Sequence, residues 1–142
     1  MRTNSLNINA RWIEAAYVEG NYIPLNSLNY VYEKLKDYSL LYLLGILNSF
    51  LLNKYYRAYY TDVNVKLTYL SQLPIPKISI QQQKPFIEIV DEILAITKSS
   101  DYLENPAKKE EVKEYEKQID QMVYKFYALT PEEIVIIEGD KK

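Results

Sequence analysis

Apolar positions crowd into the middle of the chain and become sparser and more regular towards its end. Across residues 39–60, Leu40, Leu43, Leu44, Leu47, Phe50, Leu51 and Tyr55 fall on one helical stripe, while Leu41, Ile46 and Leu52 lie off it. A helix that is apolar nearly all round belongs at the centre of a fold, and Asp37 or Ser39 supplies its N-cap. Ahead of it, residues 11–18 and 21–25 are strand formers on either side of Glu19-Gly20-Asn21, the pattern of a hairpin. Residues 26–36 read both ways: Leu28, Val31, Tyr32 and Leu35 have helical spacing, and Tyr30-Val31-Tyr32 favours strand. Beyond the central helix, residues 62–66 form a turn in which Val63 and Val65 alternate with polar neighbours. Pro74 and Pro76 then impose an extended edge strand or strap on residues 73–78.

The second half is plainer. A helix opening at residues 82–85 carries the stripe Phe86, Ile89, Val90, Ile93, Leu94 and Thr97. After a polar loop over residues 99–106, a helix over 107–129 repeats Val112, Tyr115, Ile119, Met122, Val123 and Phe126. The two should close on each other as an antiparallel hairpin. Thr130-Pro131-Glu132-Glu133 is a capping box that starts a short last helix, stopped at Gly139. The expected fold class is therefore α+β: a small irregular sheet packed on a central apolar helix, followed by an antiparallel helical hairpin. The expected division is residues 1–78, with strands and central helix, and residues 79–142, with the hairpin and terminal helix.

Composition narrows the chemistry. The chain has no Cys and no His, so it offers no thiolate nucleophile, no disulfide, no Cys-ligated zinc and no imidazole acid–base group. Any catalysis would rest on carboxylates, Lys, Tyr or Ser. Residues 1–10 are polar and lack the apolar core of a signal peptide. The apolar run over residues 40–52 falls short of the roughly 20 residues needed to span a bilayer. No membrane partner is expected, and a cytoplasmic location is the default.

The formal net charge is −2, so the chain is not globally basic. Its acids concentrate late, at Glu110, Glu111, Glu114, Glu116, Asp120, Glu132, Glu133 and Glu138. Residues 54–84 carry Lys54, Arg57, Lys66, Lys77 and Lys84 against Asp62 alone, which marks the middle of the chain as an anion-facing candidate. There the cations are interleaved with Tyr55, Tyr56, Tyr59, Tyr60 and Tyr69. Lys54, Arg57 and Lys66 could hold phosphates, with Thr61 and Asn64 reading base edges beside Tyr59 and Tyr60. Equally, the tyrosines could pack the helix end and leave the cations solvated.

Three ordered pieces carry a resemblance: Tyr42-Leu43-Leu44-Gly45-Ile46-Leu47-Asn48-Ser49, Leu52-Asn53-Lys54-Tyr55-Tyr56-Arg57, and Leu70-Ser71-Gln72-Leu73-Pro74-Ile75-Pro76. Together they resemble the C-terminal target recognition (specificity) domain of TaqI-like and type IIG restriction–modification enzymes, which are adenine-N6 DNA methyltransferases. Type I specificity subunits have a related Leu-Pro-Ile-Pro ending. Later pieces, residues 83–91 and 116–130, are similar as well, so the resemblance spans roughly residues 11–139. It implies sequence-specific recognition of double-stranded DNA by a module that is itself non-catalytic. Its DNA-binding residues would be Lys54, Arg57, Tyr59, Tyr60, Thr61, Asn64 and Lys66. It also implies a methyltransferase domain in the parent chain as partner.

The chain departs from those enzymes in lacking a Gly-rich S-adenosylmethionine loop and an Asn-Pro-Pro-Tyr motif, and its loop over residues 60–66 is shorter. The expectation is a specificity fragment with an artificial start at Met1. It would use no cofactor itself, S-adenosylmethionine and a candidate Mg2+ belonging to the parent.

Two other classes compete with that reading. The hairpin could be a protein-interaction or dimerisation module without DNA contact, marked by an exposed apolar groove along residues 112–126. Asp101 with Glu111-Val112-Lys113 has the residue types of a magnesium nuclease, but that chemistry needs Glu and Lys on a strand beside the first acid.

Overall fold

Ser49 divides what the apolar pattern presents as one central helix. Its backbone is extended (φ −66°, ψ 152°), ending α1 (Leu40–Asn48) and beginning α2 (Phe50–Tyr59). The Ser49 N–H and Oγ both donate to the Ile46 carbonyl, at 3.1 and 2.7 Å, and Oγ accepts from the Leu52 N–H at 3.4 Å. A serine that bonds its local backbone in this way competes with helix continuation and favours a cap.

The computed structural model describes residues 12–23, 25, 28–32, 36–62 and 64–139. The chain forms two compact units, Met1–Ile75 and Pro76–Lys142. After α1 and α2 come α3 (Leu67–Leu70), α4 (Ile80–Thr97), α5 (Pro106–Phe126) and α6 (Pro131–Glu138). No strand occurs among the described residues; Glu14 is a lone bridge position. The expected α+β class, with a small irregular sheet on the central helix, is therefore corrected to a helical fold.

The reason lies in where the backbone groups of the expected hairpin go. Ile13 N–H donates to Asn53 Oδ1 at 2.7 Å. Ala15 is gripped on both sides by Asn48, whose Oδ1 accepts from the Ala15 N–H at 3.1 Å and whose Nδ2 donates to its carbonyl at 3.0 Å. Two side-chain amides from the helices thus take the place of a neighbouring strand. Farther on, Tyr22, Ile23 and Leu25 lie exposed, as do Tyr30, Val31 and Tyr32. Residues 28–32 resolve the ambiguous segment as irregular chain; Leu35 lies outside the described residues, as do Arg11 and Val63 of the expected extended segments. The expected edge strand after Leu73 is an extended strap without a ladder, and the Ile75 N–H bonds to the Leu73 carbonyl two residues back.

The core of the first unit differs from the expected stripe. Ile13, Tyr42, Ile46, Leu47, Leu52, Tyr56, Val65 and Leu73 are buried, with Asn53 and Ser49 among them. Of the expected stripe only Leu47 is buried; Leu40, Leu43, Leu44, Phe50, Leu51 and Tyr55 are half-buried. An all-apolar helix does not single out one face by composition, and the break at Ser49 resets the phase between α1 and α2.

In the second unit the pattern serves well. α4 and α5 pack together, and the rings of Phe86 near the start of α4 and Phe126 at the end of α5 lie 5.5 Å apart, as an antiparallel hairpin requires. Phe86, Val90, Val112, Ile119, Val123 and Tyr124 are buried. α4 begins earlier than proline placement suggests, because Ser79 and Gln82 form a capping box: Gln82 N–H to Ser79 Oγ at 3.2 Å, Ser79 N–H to Gln82 Oε1 at 3.0 Å. Pro85 consequently sits inside the helix. At the end of α5, Ala128 adopts φ 53°, and Ala128 N–H and Leu129 N–H bond back to the Lys125 and Tyr124 carbonyls at 3.0 Å each. This is a Schellman ending with alanine in the position that usually holds glycine. Thr130 and Glu133 cap α6 reciprocally, with Pro131 at its first position.

Candidate nucleic-acid interface

The expected DNA-contacting residues all lie on the last turns of α2 and the loop that follows. Lys54 is half-buried, while Arg57 and Tyr59 are exposed. Arg57 stands in the last turn of α2, where a cation complements the helix dipole. Its guanidinium lies 5.9 Å from the centroid of the Trp12 ring, within cation–π range. The Tyr55 and Tyr59 rings lie 4.5 Å apart, one turn separated, and Tyr59 remains 68% exposed. Arg57 and Tyr59 are thus both exposed in the last turn of α2, two positions apart and on different sides of the helix.

The inner part of the same turn is packed. Tyr56 is buried, and its ring lies 5.0 Å from Tyr60 and 6.5 Å from Tyr69. Tyr60, half-buried at the C-cap of α2, stacks on Tyr69 at 4.4 Å with 16° between planes, and its hydroxyl donates to Gln72 Oε1 at 3.3 Å. The Tyr56 hydroxyl is buried without a hydrogen-bond partner of normal geometry among the described residues. Burial pushes its phenol up, partly offset by the Lys66 backbone.

Asp62 ties the loop together. Its Oδ2 accepts from Lys66 Nζ at 2.8 Å and from the Tyr69 hydroxyl at 2.6 Å. The Lys66 bond, and then the Tyr69 bond, hold the Asp62 carboxyl below its ordinary range, while Asp62 in turn raises both Lys66 and Tyr69. Lys66 Nζ also sits 5.4 Å from the Tyr69 ring centroid. Next to it Val65 is buried and its carbonyl accepts from Asn29 Nδ2 at 2.7 Å. Thr61 and Asn64 are exposed between these anchors.

The seven expected residues differ in their surroundings, and Lys54 is half-buried. Arg57, Tyr59, Thr61 and Asn64 face solvent; Tyr60 packs; the exposed Lys66 is ion-paired. Trp12 and Asp62 take part as well, on Arg57 and on Lys66 and Tyr69, and neither is among the expected contacts. Asp62 carried a signal as the sole acid in residues 54–84, whereas Trp12 lies 45 positions from Arg57 and carried none.

The competing sites do not assemble. Asp101 accepts from Lys108 and from Asn105 Nδ2 (3.0 Å) beside the loop between α4 and α5. Glu111 and Lys113 are exposed on α5, with Lys113 3.2 Å from Glu110. Among the described residues no cluster of three or more acids could hold a metal ion, and no helix is long and apolar enough to cross a membrane. Val112, Ile119 and Val123, the heart of the expected docking groove, are buried.

Residues 6–75 match the family model of the TaqI-like C-terminal specificity domain, just under half of the chain and nearly the extent of the first compact unit. The later similar pieces, from residue 83 onwards, lie outside that match. No curated protein and no solved structure matches the chain. The unit that holds Arg57, Tyr59 and Asn64 is thus the one that matches the TaqI-like C-terminal specificity domain, the target-recognition family of restriction–modification enzymes that the sequence resembles.

Proposed function

We propose that the chain recognises a specific site on double-stranded DNA on behalf of a DNA-modifying domain and catalyses nothing itself. The observation that carries this is the match of residues 6–75 to a specificity domain. The exposed arrangement at the end of α2 supports it. Lys54 and Arg57 supply cations for phosphate oxygens, contacts that position a duplex without reading it, while Lys66 is engaged by Asp62. Asn64 and Thr61, exposed on the loop, supply the donors and acceptors that read base edges in the major groove. Tyr59 and Tyr60 flank them. The partner is the methyltransferase domain of a parent enzyme, to which S-adenosylmethionine, and Mg2+ where DNA is also cut, belong.

Fluorescence anisotropy of the chain on labelled duplex DNA, at several salt concentrations, tests the reading. Arg57→Ala is expected to weaken binding alike on all sequences and to lower the salt slope by roughly one. Unchanged affinity and slope would assign Arg57 and Trp12 a packing role and remove the phosphate contact from the account.

A further inference from the structure

A carboxylate near a phosphate backbone opposes binding, yet the cation-rich stretch over residues 54–84 contains Asp62. The fold engages that carboxylate within the chain. Its Oδ2 takes both Lys66 Nζ (2.8 Å) and the Tyr69 hydroxyl (2.6 Å), and Tyr69 is stacked on Tyr60 at the end of α2 (4.4 Å). Val65, buried, is held through its carbonyl by Asn29 (2.7 Å). The loop is thus fastened at residues 62, 65 and 66, and Asn64 stands exposed within the fastened span.

We propose that Asp62 and Tyr69 are positioning residues: with Lys66 they hold the loop on either side of Asn64 so that the Asn64 amide meets a base edge in one orientation. The proposal rests on the DNA-recognition reading above and adds to it how selectivity is generated. An amide reads adenine through two hydrogen bonds whose directions are fixed. A loop already ordered in the free protein loses less freedom on binding and offers a mispaired base fewer ways to adapt. The pair with Lys66 also balances the Asp62 charge, so the loop approaches phosphates without net repulsion from its acid.

The test uses the chain and a pool of duplexes with a randomised centre, sequenced after repeated selection. Asn64→Ala is expected to lower discrimination about tenfold at the base positions it reads, with the salt slope unchanged. Tyr69→Phe keeps the ring stack and loses the hydroxyl bond. It should reduce discrimination several-fold at those same positions, with an unchanged slope. Asp62→Ala should do likewise while steepening the slope by about one, because the Lys66 ammonium is released.

Thermal melts confirm that each variant is folded, since a merely structural role lowers the melting temperature and leaves the base preferences of the folded chain unmoved. Should Asp62→Ala fail to fold, Asp62→Asn keeps an acceptor for Tyr69, drops the ion pair and gives the same slope change. Folded Tyr69→Phe and Asp62→Ala chains with wild-type base preferences, alongside a loss in Asn64→Ala, would overturn the proposal and leave DNA recognition standing. Wild-type preferences in Asn64→Ala itself would overturn it as well. A wild-type chain that enriches no sequence would refute both readings together.

Discussion

The two compact units solve the same problem, satisfying backbone and burying apolar surface, by different means. The second does so locally: α4 and α5 close on each other, and capping boxes at Ser79 and Thr130 finish the helix ends within three residues. The first relies on long-range side-chain amides. Asn53 and Asn48 hold Ile13 and Ala15 from 40 and 33 positions away, and Asn29 holds Val65 from 36. The locally organised unit buries Phe86, Val90, Val112, Ile119 and Val123 of its stripes; the other keeps Arg57 and Tyr59 exposed on α2 and Thr61 and Asn64 exposed on the loop after it.

The comparison can be broken most forcefully at Ile119, which is 5% exposed on α5. Ile119→Ala is expected to cost about 2–5 kcal/mol in chemical denaturation, as for other buried aliphatic truncations. A cost under about 0.5 kcal/mol would mean that the hairpin is not the core of its unit. At Asn53 the first unit faces the matching test. Asn53→Leu fills the space but leaves the Ile13 N–H without its acceptor, an expected loss of about 1–3 kcal/mol. The substitution also takes the Asn53 Nδ2 donor from the Leu47 and Ser49 carbonyls, and a negligible loss would mean that none of these bonds holds the unit together.

Smaller changes sharpen the contrast. Ala128 carries an L side chain in a left-handed conformation (φ 53°) at the end of α5. Ala128→Gly should stabilise the chain by about 0.5 kcal/mol, the relief of strain exceeding the entropy glycine adds to the unfolded state. A destabilisation would contradict the Schellman ending. Alkaline titration gives the subtlest signal. Burial pushes the Tyr42 phenol up to about 12, and burial also raises Tyr56 and Tyr124. Above about pH 10 the unfolded chain loses phenol protons that the folded chain keeps, so stability falls as pH rises towards 12. Tyr42→Phe removes one of these contributions and should flatten the decline between pH 10 and 12; an unaltered slope would place Tyr42 in contact with solvent.

What the sequence made legible follows the same division. The stripe of α5 stood out because Glu110, Glu114 and Lys117 fill its opposite face, so periodicity selected a side. The cap at Thr130 was visible for the same local reason. Pro85 suggests a later start for α4 than the Ser79–Gln82 box, which begins six residues before it, imposes. In α1 and α2 the leucines gave no side to choose, and Asn48-Ser49 was the one sign of a break. The missing sheet was the least legible feature, since a strand-forming stretch looks the same whether its partner is another strand or two asparagines. As for the candidate site, charge segregation is what singles out the stretch around Arg57 and Asn64 in the sequence. The pairing of Asp62 with Lys66 and Tyr69, and of Arg57 with Trp12, needed three dimensions.

Hydrogen exchange of the whole chain, with and without duplex DNA enriched by selection, tests the division of labour most directly. The account predicts slowed exchange at the end of α2 and through residues 60–66, with α4 and α5 unchanged. Protection confined to α5, or no protection anywhere, would contradict it.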